Sequence, residues 1–143
     1  MARVDFYVLQ RADERSRHTL ACKLAEKAYR LENTVYIHAR NREDATKLDE
    51  LLWTFRDGSF VPHALSGIDG DTAASPVTIG CDADNVPARD LLINLCDVVP
   101  TFSKGYKRIA EIVPADDDAR AAGRKRFKQY RDLGMEPATH NIE

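Results

Sequence analysis

The 143-residue sequence has no glycine in "RADERSR" (Arg11 to Arg17), the segment joining its first strand candidate to its first helix candidate. Phosphate binding in an open α/β sheet uses glycines at that junction, because only a backbone without Cβ can approach a phosphate and aim its N–H groups at it. Neither GxxxxGK[ST] nor GxGxxG occurs anywhere in the chain, which argues against a nucleoside triphosphatase and against a dinucleotide enzyme. Cysteine is scarce as well. Cys22, Cys81 and Cys96 are odd in number, widely spaced and form no CxxC pair, so neither a disulfide framework nor a zinc ribbon follows, and reduced, cytoplasmic thiols are expected. No apolar run approaches the roughly 18 residues that cross a bilayer. The first strand candidate starts within a few residues of Met1, so neither secretion nor membrane insertion is expected. An excess of positive charge is missing too. The 21 Lys and Arg face 23 Asp and Glu, for a net charge of -2, so any polyanion site must be local.

What is present is a regular alternation. At this length, with 43% hydrophobic and 31% charged residues, the chain is expected to form a single domain over residues 1–143. "VDFYVLQ" (Val4 to Gln10) reads as a strand, and Leu20, Ala21, Leu24, Ala25, Ala28 and Leu31 then recur at helical spacing between Ser16 and Leu31. "TVYIHA" (Thr34 to Ala39) is a second strand, followed by Asn41 as an N-cap and a helix through Phe55. Gly58 to Ser75, with "SGIDGD", reads as a long surface loop. "PVTIGC" (Pro76 to Cys81), "DLLINL" (from Asp90) and "YKRIAEIV" (Tyr106 to Val113) supply further short apolar segments, the last a strand after a brief helical turn. A final helix is expected from Asp116 to Leu133, with Gly134 as its stop. The pattern predicts an α/β fold built on a mostly parallel sheet flanked by helices.

Catalytic constellations are absent. His38 ends a strand and His63 lies in the loop motif "FVPH", and neither has a nucleophile at a diagnostic spacing. "DGD" (Asp69 to Asp71) and "DAD" (Asp82 to Asp84) have the oxygen ligands a hard cation takes, but such loop pairs read first as solvated turns. No enzyme activity, cofactor or metal is expected.

Two surface features read as docking sites. At about 100° per residue, Ala45, Leu48, Leu51, Leu52 and Phe55 form one apolar stripe, with Trp53 about 150° from its centre. Either the following loop, with Phe60, Val61 and Pro62, folds over Trp53, or the ring anchors a protein interface. In the last helix Ala119, Ala122, Gly123, Tyr130 and Leu133 make the expected buried stripe, while Arg120, Arg124, Lys128 and Arg131 recur along its flank. Phe127 falls at the boundary between them. Asp116, Asp117 and Asp118 open this helix and cations close it, which also complements its dipole. A basic ridge bordered by a ring fits single-stranded nucleic acid, with bases stacked on aromatics. It also fits an acidic peptide whose apolar residue enters a pocket while its carboxylates meet the arginines. One short ridge in a chain of net charge -2 favours the peptide.

"DFYVL", "KLDELLWTF", "SFVPHAL", "DLLINL" and "RKRFKQYRDLG" occur in the order, and near the spacing, of a known family. The sequence resembles the chi subunit of bacterial DNA polymerase III holoenzyme, most specifically through the "LDELLW...FVPH" combination. The resemblance implies a nucleotide-binding-like (Rossmann-like) fold without a phosphate-binding loop, and a noncatalytic replication subunit of the cytoplasm. That subunit would link the psi subunit of the clamp loader to the acidic C-terminal tail of single-stranded DNA-binding protein (SSB), which ends in phenylalanine. It implies tail contacts at Arg120, Arg124, Phe127 and Lys128, where family members often carry lysine in place of Arg120 and tyrosine in place of Phe127. It also implies contacts at Trp53 and Phe60 with psi or with a helicase competing for that surface, and DNA contact mainly through SSB. The alternatives are direct binding of single-stranded nucleic acid by the C-terminal helix, and a degenerate nucleotide-hydrolase relative that retains a nucleotide.

Overall fold

The computed structural model describes residues 2–58, 60–66, 75–81 and 89–142. The elements run β1 (Arg3–Leu9), α1 (Glu14–Arg30), β2 (Val35–His38), α2 (Arg42–Thr54), β3 (His63–Leu65), β4 (Val77–Gly80), β5 (Leu91–Asn94), β6 (Arg108–Val113), α3 (Asp117–Asp132) and β7 (Glu136–Ile142), with a 3-10 turn at Ser103–Gly105 before β6. Each helix begins on a side chain that takes one of its orphan amides. The carboxylates of Asp13 and Asp116 accept from the amides of Ser16 (2.9 Å) and Ala119 (2.8 Å), and the Asn41 amide oxygen accepts from Asp44 (2.8 Å). Gly134, at φ +85, supplies the left-handed residue that ends α3.

The seven strands form one sheet in the order β3-β4-β2-β5-β6-β1-β7, with every pair parallel. Side chains alternate between its faces. Val35, Ile37, Leu91, Ile93, Ala110 and Ile112 join α1 and α2 in one core cluster. Val4, Phe6, Tyr36, Leu92, Ile109 and Val113 join Tyr130 and Phe127 of α3 in another. Among the described residues two helices therefore cover one face, and a single α-helix with the 3-10 segment covers the other. Among the described residues no helix is long and apolar enough to cross a membrane.

The structure departs from the sequence reading in three places. The expected loop Gly58 to Ser75 contains β3, whose three residues pair with Val77 to Ile79 and are too short a run to show a period. "SGIDGD" after Ser66, "DGD" and "DAD" lie outside the described residues. The C-terminal segment is an edge strand, β7, paired with β1 from Arg3↔Glu136 to Leu9↔Ile142. Its sequence, with Pro137 and few apolar residues, carries no strand signal, and an edge tolerates both features. What holds β7 is polar. The His140 ring packs on Tyr7 at 5.2 Å between centroids, and its Nε2 lies 2.8 Å from the buried Asp5 carboxylate, which also pairs with Arg3 at 3.2 Å.

The third departure concerns α3. Leu133, placed in its buried stripe by periodicity, is 42% exposed because the helix ends there, whereas Arg126 is buried. Arg126 Nε donates to Glu111 Oε1 (2.9 Å), Tyr130 Oη to Glu111 Oε2 (2.6 Å) and Asn94 Nδ2 to the same oxygen (2.8 Å). Burial pushes Glu111 above the usual carboxylate range, opposed by Arg126 and these donors. Burial and the neighbouring carboxylate push Tyr130 up, which keeps its hydroxyl a donor. Arg126→Met leaves the Glu111 carboxylate without its cation. It is expected to cost about 3–5 kcal/mol, read as a lower urea midpoint at unchanged slope, and a loss below about 1 kcal/mol, ordinary for an exposed pair, would contradict this account of the network.

Candidate functional site

The arginines of α3 overlook a cleft of about 270 Å³. Its floor is the uncovered margin of the sheet: Phe6 and Val8 from β1, Val113 from β6 and Thr139 from β7. Its wall is the flank of α3 formed by Arg120, Gly123, Arg124 and Phe127. Phe127 is half-buried and leans on Phe6, with ring centroids 5.4 Å apart. Gly123 lets the helix approach, since a Cβ there would meet Val113 Cγ2 at 3.1 Å. The structure thus brings together three of the four residues expected at this site. Lys128, one turn past Arg124, lines a separate groove with Asp97, Val98 and Gln129. Phe6 and Val8 were legible as the same-side residues of an alternating strand, but Thr139 had no signal in its polar segment.

The charges on this wall are unspent. Arg3, Arg17, Arg30, Arg40, Arg56, Arg108 and Arg126 all form ion pairs. Among the described residues Arg120 and Arg124 form none, and both are exposed. A cleft with an apolar floor and two free guanidinium groups can take an apolar residue and a carboxylate at once.

The second candidate surface lies at the end of α2. The Trp53 ring is 5.7 Å from Phe60 and 4.6 Å from His63, centroid to centroid, yet Trp53 remains 55% exposed and Phe60 63%. The following loop therefore touches the indole without covering it. His63 opens β3 rather than lying in a loop, and its side chain is wholly buried. Its Nδ1 sits 2.7 Å from the Val61 carbonyl and its Nε2 3.0 Å from that of Asp49, which fixes the ring beneath Trp53.

Other reactive side chains are engaged or muted. Glu14, His18 and Asp44 place ligand atoms within 4.8 Å of one another. Arg40, however, already bridges both carboxylates, at 2.9 and 3.1 Å, and burial holds His18 below the usual imidazole range. Burial pushes Cys22 up to about 12 and Cys96 up to about 11, so neither is a thiolate near neutral pH. His38 ends β2, buried, with its ring 5.0 Å from Phe102.

Residues 1–138 match the family model described as DNA polymerase III chi subunit, HolC. The DNA polymerase III subunit chi of Pseudomonas aeruginosa is 40% identical over 142 residues, covering 99% of this chain and 98% of the relative. That of Haemophilus influenzae is 35% identical over 138 residues (96% and 95%), and that of Escherichia coli 33% identical over 117 residues (81% and 79%).

The chain has one tryptophan, so its fluorescence reports on the α2 surface alone. Acrylamide is expected to quench the native protein nearly as well as the urea-unfolded chain. Strong protection in the isolated protein would mean that Trp53 is covered and the surface is closed.

Proposed function

The chain belongs to the DNA polymerase III chi subunit family, an accessory part of the replicative polymerase, and from that premise we propose that it tethers the psi subunit of the clamp loader to the acidic C-terminal tail of SSB. It does so without catalysis of its own. The observation that carries the tail reading is the cleft between α3 and the sheet, where Arg120 and Arg124, unpaired among the described residues, stand over an apolar floor. A tail ending in phenylalanine supplies both complements. Its last ring packs against Phe127 and Phe6 while the terminal carboxylate meets the planar forks of Arg124 and Arg120. Lys128, outside the cleft, acts at longer range on acidic side chains upstream of the ring. SSB presents several tails, so even a micromolar contact, worth about 8 kcal/mol, gains from avidity.

Psi, or a helicase competing with it, takes the separate Trp53 and Phe60 surface. Two exposed rings on a fixed histidine make a preorganised anchor of the kind that dominates interfaces.

The test is a titration with a short acidic peptide ending in phenylalanine, beside a bare oligonucleotide of similar charge. Arg124→Ala is expected to weaken the peptide at least about tenfold, or 1.4 kcal/mol, and added salt to weaken the wild-type contact. Trp53→Ala should reduce psi binding and leave tail affinity unchanged. Oligonucleotide binding through Arg124 with no peptide binding would overturn the tether and return the ridge to nucleic acid.

A further inference from the structure

On the α1 side of the sheet a second cleft, of about 300 Å³, opens where β1 ends and α1 begins. Arg11, Arg15 and Lys23 line it with Ser16 and Thr19, over a floor that includes Leu9 and Ile142, and among the described residues no carboxylate lines it. All three cations are exposed and, among the described residues, none forms an ion pair. Their neighbours behave differently. Arg17 and Arg40 pair with Glu14, so that carboxylate is committed elsewhere. Asp13, the other nearby acid, accepts from the amide and hydroxyl of Ser16. In a chain of net charge -2, three cations that form no ion pair among the described residues surround one concavity.

The position matters as much as the charge. This is the β1–α1 junction, at the carboxyl ends of parallel strands, where open α/β sheets receive ligands. The junction has no glycine, and Asp13 already occupies an amide of the first helical turn. A ligand here must therefore be held by side chains. The geometry points to a phosphate-binding cleft in which Arg11, Arg15 and Lys23 hold phosphate groups, of a single-stranded nucleic-acid backbone or of a free nucleotide, in place of the missing glycine amides. Arg15, Thr19 and Lys23 follow one another at intervals of four along one flank of α1. The first and last stand about 12 Å apart along the axis, enough to meet more than one phosphate. Among the described residues no aromatic ring lines the cleft, so bases find no stacking platform there and binding is independent of sequence.

The test follows fluorescence anisotropy of a labelled single-stranded oligothymidylate, and an NMR titration with pyrophosphate, at low salt. The variants are R15E/K23E, the milder R15Q/K23Q, and K104E/K107E as a control of equal charge change at exposed residues outside the cleft. The wild-type oligonucleotide affinity is expected to fall with a log–log salt slope of about -2, since three cations release about 0.7 counterion each on a single strand. R15E/K23E should lose at least about tenfold, R15Q/K23Q less, and the control little. Binding of both ligands assigns the cleft to a polymeric backbone, and binding of pyrophosphate alone assigns it to a free nucleotide. Equal loss in the control variant, absence of binding by either ligand, or loss of acidic-peptide binding in R15Q/K23Q would overturn the phosphate assignment. The peptide titration with Arg124→Ala reads the α3 cleft separately, so failure of one site leaves the other standing.

Discussion

The placement of α3 depends on a single buried carboxylate. Only Gly123, Arg126 and Tyr130 of that helix are buried, too little apolar surface to fix a helix against a sheet by hydrophobic contact alone. Glu111 supplies the fixation. It rises from β6, receives Arg126 and Tyr130 from the helix and Asn94 from β5, while Arg126 reaches on to the Asp97 carbonyl and Asn94 to that of Val98. A buried ion pair of this kind adds little net stability over an apolar substitute, but it admits few alternative arrangements. Its value here is positional: it sets which flank of α3 faces the sheet margin, and hence where Arg120, Arg124 and Phe127 stand.

The unequal cover of the sheet follows from its connections and creates the cleft beside α3. The β1-to-β2 and β2-to-β3 crossovers carry α1 and α2 on one face, and among the described residues only the β6-to-β7 crossover carries an α-helix on the other. One helix cannot shield the whole of that face. Phe6, Val8 and Thr139 are left at its margin as a floor. Trp53 belongs to α2, on the other layer, next to a histidine fixed by backbone carbonyls. The two surfaces share no residue and no element, as the proposed tether between two partners requires.

The alternating elements were legible because each has its own period and cap: Asn41 before α2, Asp116 before α3 and Gly134 after it all hold the positions their residue types favour. Trp53 was legible as outward-facing by angle alone. What escaped depends on partners distant in sequence. β7 is specified by Asp5, Tyr7 and the backbone of β1 rather than by any pattern of its own. Arg126 reads as one more surface cation in "GRKRFKQYR" until Glu111, fifteen residues earlier, is brought beneath it. Thr139 in the α3 cleft and His63 under Trp53 were hidden for the same reason, and Lys128, on the basic ridge by helical spacing, stands over the neighbouring groove because spacing gives angle but not the edge of a neighbouring layer.

The position of β1 in the sheet has a consequence for synthesis. β1, the first strand of this sequence, sits between its last two, β6 and β7, and among the described strands hydrogen-bonds to no other. While the chain emerges, β1 has no native neighbour until β6, which begins at Arg108, is available. Its alternating apolar residues must wait, with α1 as their only early cover on one face. Pairing so remote in sequence makes closure of that half of the sheet intrinsically slow. A chain shortened before β7 would leave β1 as a bare edge with an apolar face, the kind of surface that templates aggregation.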